Sequence, residues 1–294
     1  MAARSLDEIL RDVRRIQIVA RRQVNDLMAG EYASAFKGRG MEFDSVREYV
    51  PGDDIRSIDW NVTARSESPF VKTFCEEREL TVMIAVDISA SNAFGSTNQS
   101  KLDVAAEVAA VLMFTALTNN DRVGLLLFAE DVVRYIPPRK GRGSVLRLVR
   151  ELLAVEPVRA QTNLSLALEY LAKVQRRRCV VFCISDFLTN SFDRSLRIVN
   201  QKHDCVAVTI SDPREEEIPS VGFVTLQDAE TGQLLELDTS NRKVREWLQA
   251  KITTQRDSLK QTFRRAGVDR LDIRTDQPYA KSLHAFFHGR EKLR

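Results

Sequence analysis

From Leu80 onward, short and almost wholly apolar runs alternate with longer segments whose apolar residues recur every three or four positions. No other feature constrains the fold as tightly. The apolar runs are Leu80 to Asp87, Arg122 to Phe128 (RVGLLLF), Cys179 to Ser185 and Cys205 to Ile210. Too short for helices and almost free of polar alternation, they predict strands buried on both faces. Amphipathic spacing predicts helices over Lys101 to Thr118, Ser144 to Ala154, Leu164 to Arg176 and Ser191 to Lys202. Val132 to Ile136 alternates instead and follows its predecessor after only Ala129-Glu130-Asp131, as an antiparallel edge pair would. The pattern predicts an α/β fold, a doubly wound and mostly parallel sheet of Rossmann type with helices on both faces. Beyond Ser211 it predicts a hairpin (Phe223 to Gln227 and Gln233 to Leu237, around Glu230-Thr231-Gly232). A helix over Arg242 to Arg265, a last strand over Val268 to Ile273 and a closing helix around Tyr279 to Phe287 follow.

The N-terminal part reads differently. Leu6, Ile9, Leu10, Val13, Ile16, Ala20, Val24 and Leu27 recur at helical spacing, Ser5 and Glu8 form a capping box, and Gly30 stands where a helix would stop. Arginines decorate the remaining surface of this helix. It serves either as a membrane-surface or partner-docking element, or as a helix packed on the body with a solvated basic face. Asp7, Glu8, Asp12 and Asp26 offset most of the charge and favour the second reading. Glu31 to Glu79 is rich in Gly, Asp, Arg and aromatics, with a Pro51-Gly52-Asp53-Asp54 turn, and predicts a small irregular β-containing module. The division expected is therefore residues 1–79, helix and module, and residues 80–294, the sheet domain with a C-terminal extension.

Composition narrows the function classes. A net charge of +3 from 44 basic and 41 acidic residues does not by itself indicate nucleic acid. The basic runs Arg139-Lys140-Gly141-Arg142 and Arg176-Arg177-Arg178 lack interleaved aromatics for base stacking. No apolar stretch reaches the ~18 residues of a membrane span, and the N-terminus has no signal-type apolar core. Four cysteines show no zinc-type spacing, Cys179, Cys183 and Cys205 fall in strand patterns and read as buried reduced thiols, and the expectation is a cytoplasmic protein.

Five residues carry chemistry. Asp87 ends the first strand, Ser89 and Ser91 follow it in an Asp-x-Ser-x-Ser turn, Thr162 precedes a helix, and Asp186 closes the Cys179 strand. In a doubly wound sheet of order 3-2-1-4-5-6, the first and fourth strands flank the switch point where ligands bind. Neighbouring strands lie ~4.8 Å apart, so both carboxylates can share one ion. An oxygen-only set of hydroxyls and carboxylates suits Mg²⁺, with Mn²⁺ or Ca²⁺ as alternatives, and leaves a position for an external oxygen, ideally a carboxylate. The plainer reading is Asp and Ser acting as caps and turn formers.

Leu80 to about Ile210 resembles a von Willebrand factor type A domain. Asp87, Ser89, Ser91, Thr162 and Asp186 match the five positions of that family's metal-ion-dependent adhesion site without substitution. The resemblance implies direct ligation by Ser89, Ser91 and Thr162, with Asp87 and Asp186 acting largely through water. A second resemblance covers nearly the whole chain. The run GRGMEFDSVREYVPGDDIRSIDWNVTAR (Gly38 to Arg65) is similar to the hallmark of the bacterial family called domain of unknown function 58. That resemblance implies a cytoplasmic protein working beside MoxR-like AAA+ ATPases in assembly or remodelling of other proteins. Within the hallmark, Arg47, Glu48, Asp53, Asp54 and Trp60 are candidates for partner binding. Equally, the segment reads as a module held by internal ion pairs with Trp60 as its anchor.

The competing reading is a Mg²⁺-dependent hydrolase, phosphatase-like, using Asp87. Haloacid-dehalogenase enzymes also place a nucleophilic Asp at the end of a first strand, but need a second acid two residues on, where this chain has Ser89. No G-x-x-x-x-G-K-[ST] motif is present, so the chain is not itself a P-loop ATPase. The favoured expectation is a non-enzymatic module that grips a partner's Asp or Glu through the metal.

Overall fold

The computed structural model describes residues 11, 13–15, 18, 26–36, 42–66, 68–75, 79–96, 99–158, 160–189, 191–216, 219–227 and 234–292. They fall into two compact units, residues 36–80 and the described residues on either side of them. Most of the helix expected over Leu6 to Leu27 lies outside the described residues, while residues 11, 13–15, 18, 26 and 27 are helical.

Helix α1 (Asp26–Phe36) corrects two expectations. Gly30 does not stop a helix but sits inside one, and Glu31 to Phe36 is helical rather than irregular. Glycine inside a helix costs roughly 0.5–1 kcal/mol relative to alanine, and tertiary contacts outweigh that. Tyr32 is fully buried, donates its hydroxyl to Asp121 Oδ2 at 3.2 Å, and meets Phe287 edge-to-face at 5.8 Å.

The smaller unit is built on an antiparallel pair, β1 (Glu42–Glu48) with β2 (Phe70–Cys75), whose register shifts between Phe43 and Ser45. The acids between the strands shape the chain. Asp53 accepts from the Val50 amide at 2.9 Å at the Pro51-Gly52 turn, where Gly52 has φ 115°. Asp54 caps a single 3₁₀ turn, Ile55–Ser57. Asp59 caps α2 (Trp60–Thr63) by accepting from the Asn61 and Val62 amides.

The larger unit holds a six-stranded sheet. Its strands are β3 (Thr81–Asp87), β4 (Arg122–Phe128), β5 (Val132–Arg139), β6 (Val180–Ser185), β7 (Asp204–Ser211) and β10 (Asp269–Arg274). The spatial order is β10-β7-β6-β3-β4-β5, and every pair is parallel except β4 with β5. Counted from β3 this is the expected 3-2-1-4-5-6 order. β3, β6 and β7 are buried along almost their whole length, as their unbroken apolar runs require.

Helices α3 (Lys101–Thr118), α4 (Arg142–Leu153), α5 (Leu164–Val174) and α6 (Asp193–Lys202) alternate with these strands. A four-residue α7 (Pro213–Glu216) follows β7 and was not anticipated. The hairpin strands β8 (Phe223–Gln227) and β9 (Leu234–Asp238) pair as expected, with the Glu230-Thr231-Gly232 turn outside the described residues. Helix α8 (Arg242–Ala266) ends on Gly267, whose φ of 66° is the left-handed cap that glycine supplies most readily. Helix α9 (Tyr279–Lys292) closes the chain.

Helix α3 is buried nearly all round, beginning from a Ser100–Asp103 capping box. At the β5 edge, a Cβ on Gly124 would meet Met83 Sδ at 2.6 Å and the Ile136 carbonyl at 2.9 Å, so only glycine lets this pair close. β5 carries Pro137 and Pro138 just before its last residue, Arg139. Cys179, Cys183 and Cys205 are buried and unbridged, and burial pushes the Cys179 thiol up to about 12, which keeps it protonated and unreactive. Among the described residues, no helix is long and apolar enough to cross a membrane.

Candidate metal centre at the sheet switch point

The order of strand addition reverses between the parallel strands β3 and β6, and the strand ends there carry Asp87 and, one residue beyond β6, Asp186. The chain brings the remaining three candidates to the same place by identifiable means. Beyond β3, Ser89 and Ser91 enter a short 3₁₀ turn, Ala90–Ala93. Thr162 arrives from the far side of the β4–β5 hairpin because Val158 pairs in parallel with Ser89, with its amide donating to the Ile88 carbonyl at 2.8 Å. The Asn163 amide then holds the Ala129 carbonyl at 2.8 Å, and its side chain caps α5.

These oxygens touch one another. Thr162 Oγ1 lies 2.7 Å from Ser89 Oγ and 3.4 Å from Asp87 Oδ2, and Ser89 Oγ lies 3.1 Å from Ser91 Oγ. The Ser89 amide donates to Asp87 Oδ1 at 3.0 Å. Asp87, Ser89, Thr162 and Asp186 are buried, and Ser91 is half-buried. Asp186 couples to Asp87 through charge. Burial, and then the Asp186 carboxylate, push the Asp87 carboxyl up to about 6, against the pull of Ser185 and Ser89.

Asp186 sits in a strained loop. Phe187 and Ser191 both adopt left-handed backbone, at φ 56° and 65°, which is costly for residues with a side chain. Phe187 is held there by Phe263, 5.1 Å away and edge-on, and by Phe192 at 5.8 Å. The Leu188 amide donates to Asp186 Oδ1 at 3.1 Å, so the strained turn aims that carboxylate.

Four further residues belong to the site and were not identified from sequence. Ser185 donates to Asp87 Oδ2 at 2.7 Å. Lys101, wholly buried, places Nζ 2.8 Å from Asp186 Oδ2 and 2.6 Å from Glu215 Oε1 on α7. Burial works against its charge, and the two carboxylates more than restore it, so its pKa stands above the ordinary lysine value. Asp212 follows β7 as Asp186 follows β6. It accepts from the Ser96 amide at 2.9 Å, the Thr275 hydroxyl at 3.0 Å, the Arg214 amide at 2.9 Å and the Ser96 hydroxyl. Signals for these existed: Asp212 ends an apolar strand just as Asp87 does, and Lys101 is a cation in the first turn of a helix, the end that disfavours one.

The donor set fits a hard divalent cation. Asp87 and Asp186 are buried, the Asp186 charge disfavours that of Asp87, and three hydroxyls stand beside them, an arrangement that a cation would relieve. The Asn92 side-chain carbonyl, buried next to Ser89, finds no hydrogen-bond partner among the described residues. Among the described residues no three His, Cys, Asp or Glu side chains are placed to hold a metal ion by themselves, so an ion here would rest on the hydroxyls as well as on the two carboxylates. A cavity of about 880 Å³ opens from Asp186 and Glu215 along Thr209, Leu259, Arg270 and Gln277.

The hallmark candidates lie in the smaller unit. Arg47 and Asp53 form a two-pronged ion pair at 2.7 and 2.6 Å, Asp54 is a cap, and Glu48 accepts from the Ser68 hydroxyl at 3.3 Å. Trp60 is 67% exposed, so it does not anchor that unit.

Strand order and switch-point geometry define the class: an α/β protein of von Willebrand factor type A-like fold, with its polar cluster on the carboxyl edge of the sheet. The chain belongs to the family described as Protein of unknown function DUF58, which it matches over residues 45–258. An uncharacterized protein of Mycobacterium tuberculosis strain H37Rv is 31% identical over 283 residues, covering 95% of this chain and 89% of its own length. A Mycobacterium avium protein is 31% identical over 160 residues, 53% of this chain and 94% of its own length. Among solved structures, the conserved hypothetical protein BatB from Bacteroides thetaiotaomicron is similar at 18% identity, 72% of this chain and 99% of that one, TM-score 0.46. An aerotolerance-related membrane protein from Bacteroides fragilis is similar at 19% identity, with the same coverage and a TM-score of 0.48.

Proposed function

We propose that the protein is a Mg²⁺-dependent protein-binding module. The observation that carries this is the convergence of Asp87, Ser89, Ser91 and Thr162 into one chain of oxygen contacts, with Asp186 electrostatically coupled to it. Ser89, Ser91 and Thr162 would hold the ion directly, and Asp87 and Asp186 would hold it largely through water. Bound there, the ion supplies a Lewis-acidic position for the carboxylate of a partner's Asp or Glu. The chain's own residues do the rest. Ser185 and the Ser89 amide orient Asp87, the Leu188 amide orients Asp186, and burial, by excluding water, strengthens the attraction between each carboxylate and a cation. The cavity beside Asp186 gives room for the segment flanking the partner's acid.

Family membership supports a second element of the reading: action in the cytoplasm with a MoxR-like AAA+ ATPase, in assembly or remodelling of client proteins. Binding of purified wild type and Asp87→Ala to that ATPase from the same genome, with Mg²⁺ and with chelator, tests both elements. Capture that needs Mg²⁺ and is lost in Asp87→Ala supports them. Equal capture in all four conditions refutes the metal role, and no capture at all refutes the partnership. Mg²⁺-dependent phosphate release lost in Asp87→Ala would instead establish a hydrolase.

A further inference from the structure

Lys101 is the feature of the crevice that a plain cation site does not need. Its side chain has no exposure to solvent, yet its ammonium is charged and lies in contact with Asp186, one of the carboxylates assigned to the ion. It also occupies the first turn of α3, where the helix dipole opposes a positive charge. Burying a lysine in such a place is costly without compensation, and the only charged partners in contact with it among the described residues are Asp186 and Glu215. Glu215 in turn is held by the Asp212 amide at 3.2 Å, so α7 is fastened to the site through this pair of contacts.

We infer that Lys101 is a built-in counter-cation that tunes the site for anion capture: it weakens the grip on the metal ion and strengthens the grip of the loaded site on an incoming carboxylate. This rests on the metal-dependent reading above and deepens it. The argument is one of sign. A fixed positive charge against Asp186 would repel a divalent ion held by that carboxylate and attract a carboxylate approaching the ion. Asp87, Asp186 and Glu215 are the acids electrostatically linked here. With Lys101 they carry two net negative charges, which a divalent ion cancels. Without Lys101 the loaded site would stay anionic and would repel the very group it is meant to hold. Asp212, ionised and held by the Ser96 and Arg214 amides and the Thr275 hydroxyl, stands outside this balance because its charge is not among those coupled to Asp87, Lys101 or Glu215.

The test uses the full chain with Mn²⁺ as the metal probe and acetate as the carboxylate probe. Mn²⁺ affinity and the loss of Mn²⁺-bound water on adding acetate are both read by water-proton relaxation. Lys101→Met is expected to bind Mn²⁺ on the order of tenfold tighter and acetate on the order of tenfold more weakly, the scale of one unit charge at partly screened range. Lys101→Arg, which keeps the charge, stays near wild type in both. Glu215→Gln, at a less buried position, shifts both in the opposite sense and decides the matter even if Lys101→Met fails to fold. A Lys101→Met protein of unchanged melting temperature that binds Mn²⁺ no more tightly, or a Glu215→Gln protein that binds it no more weakly, overturns the inference. A wild type that binds no Mn²⁺ overturns the metal reading itself, and the inference with it.

Discussion

The turn after β3 and the loop between β1 and β2 are both rich in acids and hydroxyls, yet they use them in opposite ways. Between β1 and β2, Asp53, Asp54 and Asp59 are taken up by backbone amides and by Arg47, close to solvent. At the switch point Asp87 and Asp186 are buried and repel one another, and Lys101 pairs with Asp186. The first arrangement shapes the chain. The second stores an unmet demand for positive charge, and stored demand of that kind is what a ligand satisfies.

The contrast can be broken experimentally. Asp212→Ala should have the largest effect: it strands four donors that hold the Ser96 loop and the β10 exit together, at a cost of about 3–5 kcal/mol in urea unfolding. An unchanged midpoint would show that this carboxylate is not structural.

Asp87→Asn should do the reverse. The folded-state pKa of Asp87, about 6, lies above the ordinary carboxyl value of 3.8, so the fold holds a proton that the unfolded chain releases. Wild-type stability in chelator therefore falls as pH rises from about 4 to about 6 and stays lower above that. Asp87→Asn removes this fall and is more stable at pH 7 by roughly 2–3 kcal/mol. A wild-type profile flat over that range would contradict the buried, uncompensated charge. For the same reason Mg²⁺ should stabilise the wild type more at pH 7 than at pH 5.

In the smaller unit the effects should be slight. A double-mutant cycle on Arg47 and Asp53 is expected to show a coupling that fades with salt, as exposed ion pairs do. Trp60→Ala should leave the unfolding midpoint where it is, since most of its ring is already in water. A large loss of stability there would mean that the tryptophan is covered in solution.

How much of this was legible depends on how local the signal is. The strands of the sheet follow from apolar run length and from the short β4–β5 link, both written in neighbouring residues, and their order from the common arrangement of doubly wound sheets. The meeting of Asp87, Ser89, Ser91 and Thr162 followed from placing strand ends on one edge of the sheet. Gly30 misled because helix propensity yields to tertiary packing, here the burial of Tyr32. Glu215 was out of reach because its position depends on a four-residue helix with no periodicity of its own. Lys101 was readable as a charge at the wrong helix end, but its partners lie 85 and 114 positions away in sequence.

Pro137 and Pro138 on β5 have a consequence at the rim of the molecule. β5 is the outer strand on its side, and consecutive prolines remove amide donors there whichever of them faces outward. At the opposite rim β10 carries Asp269, Arg270, Asp272 and Arg274, charges that discourage another strand from zipping alongside. A sheet so guarded is a poor template for lengthening by a foreign peptide backbone or by a misfolded sibling. Under the binding role proposed above, recognition would be left to side chains at the carboxyl edge, and the rim residues of β5 and β10 discourage growth into fibrils.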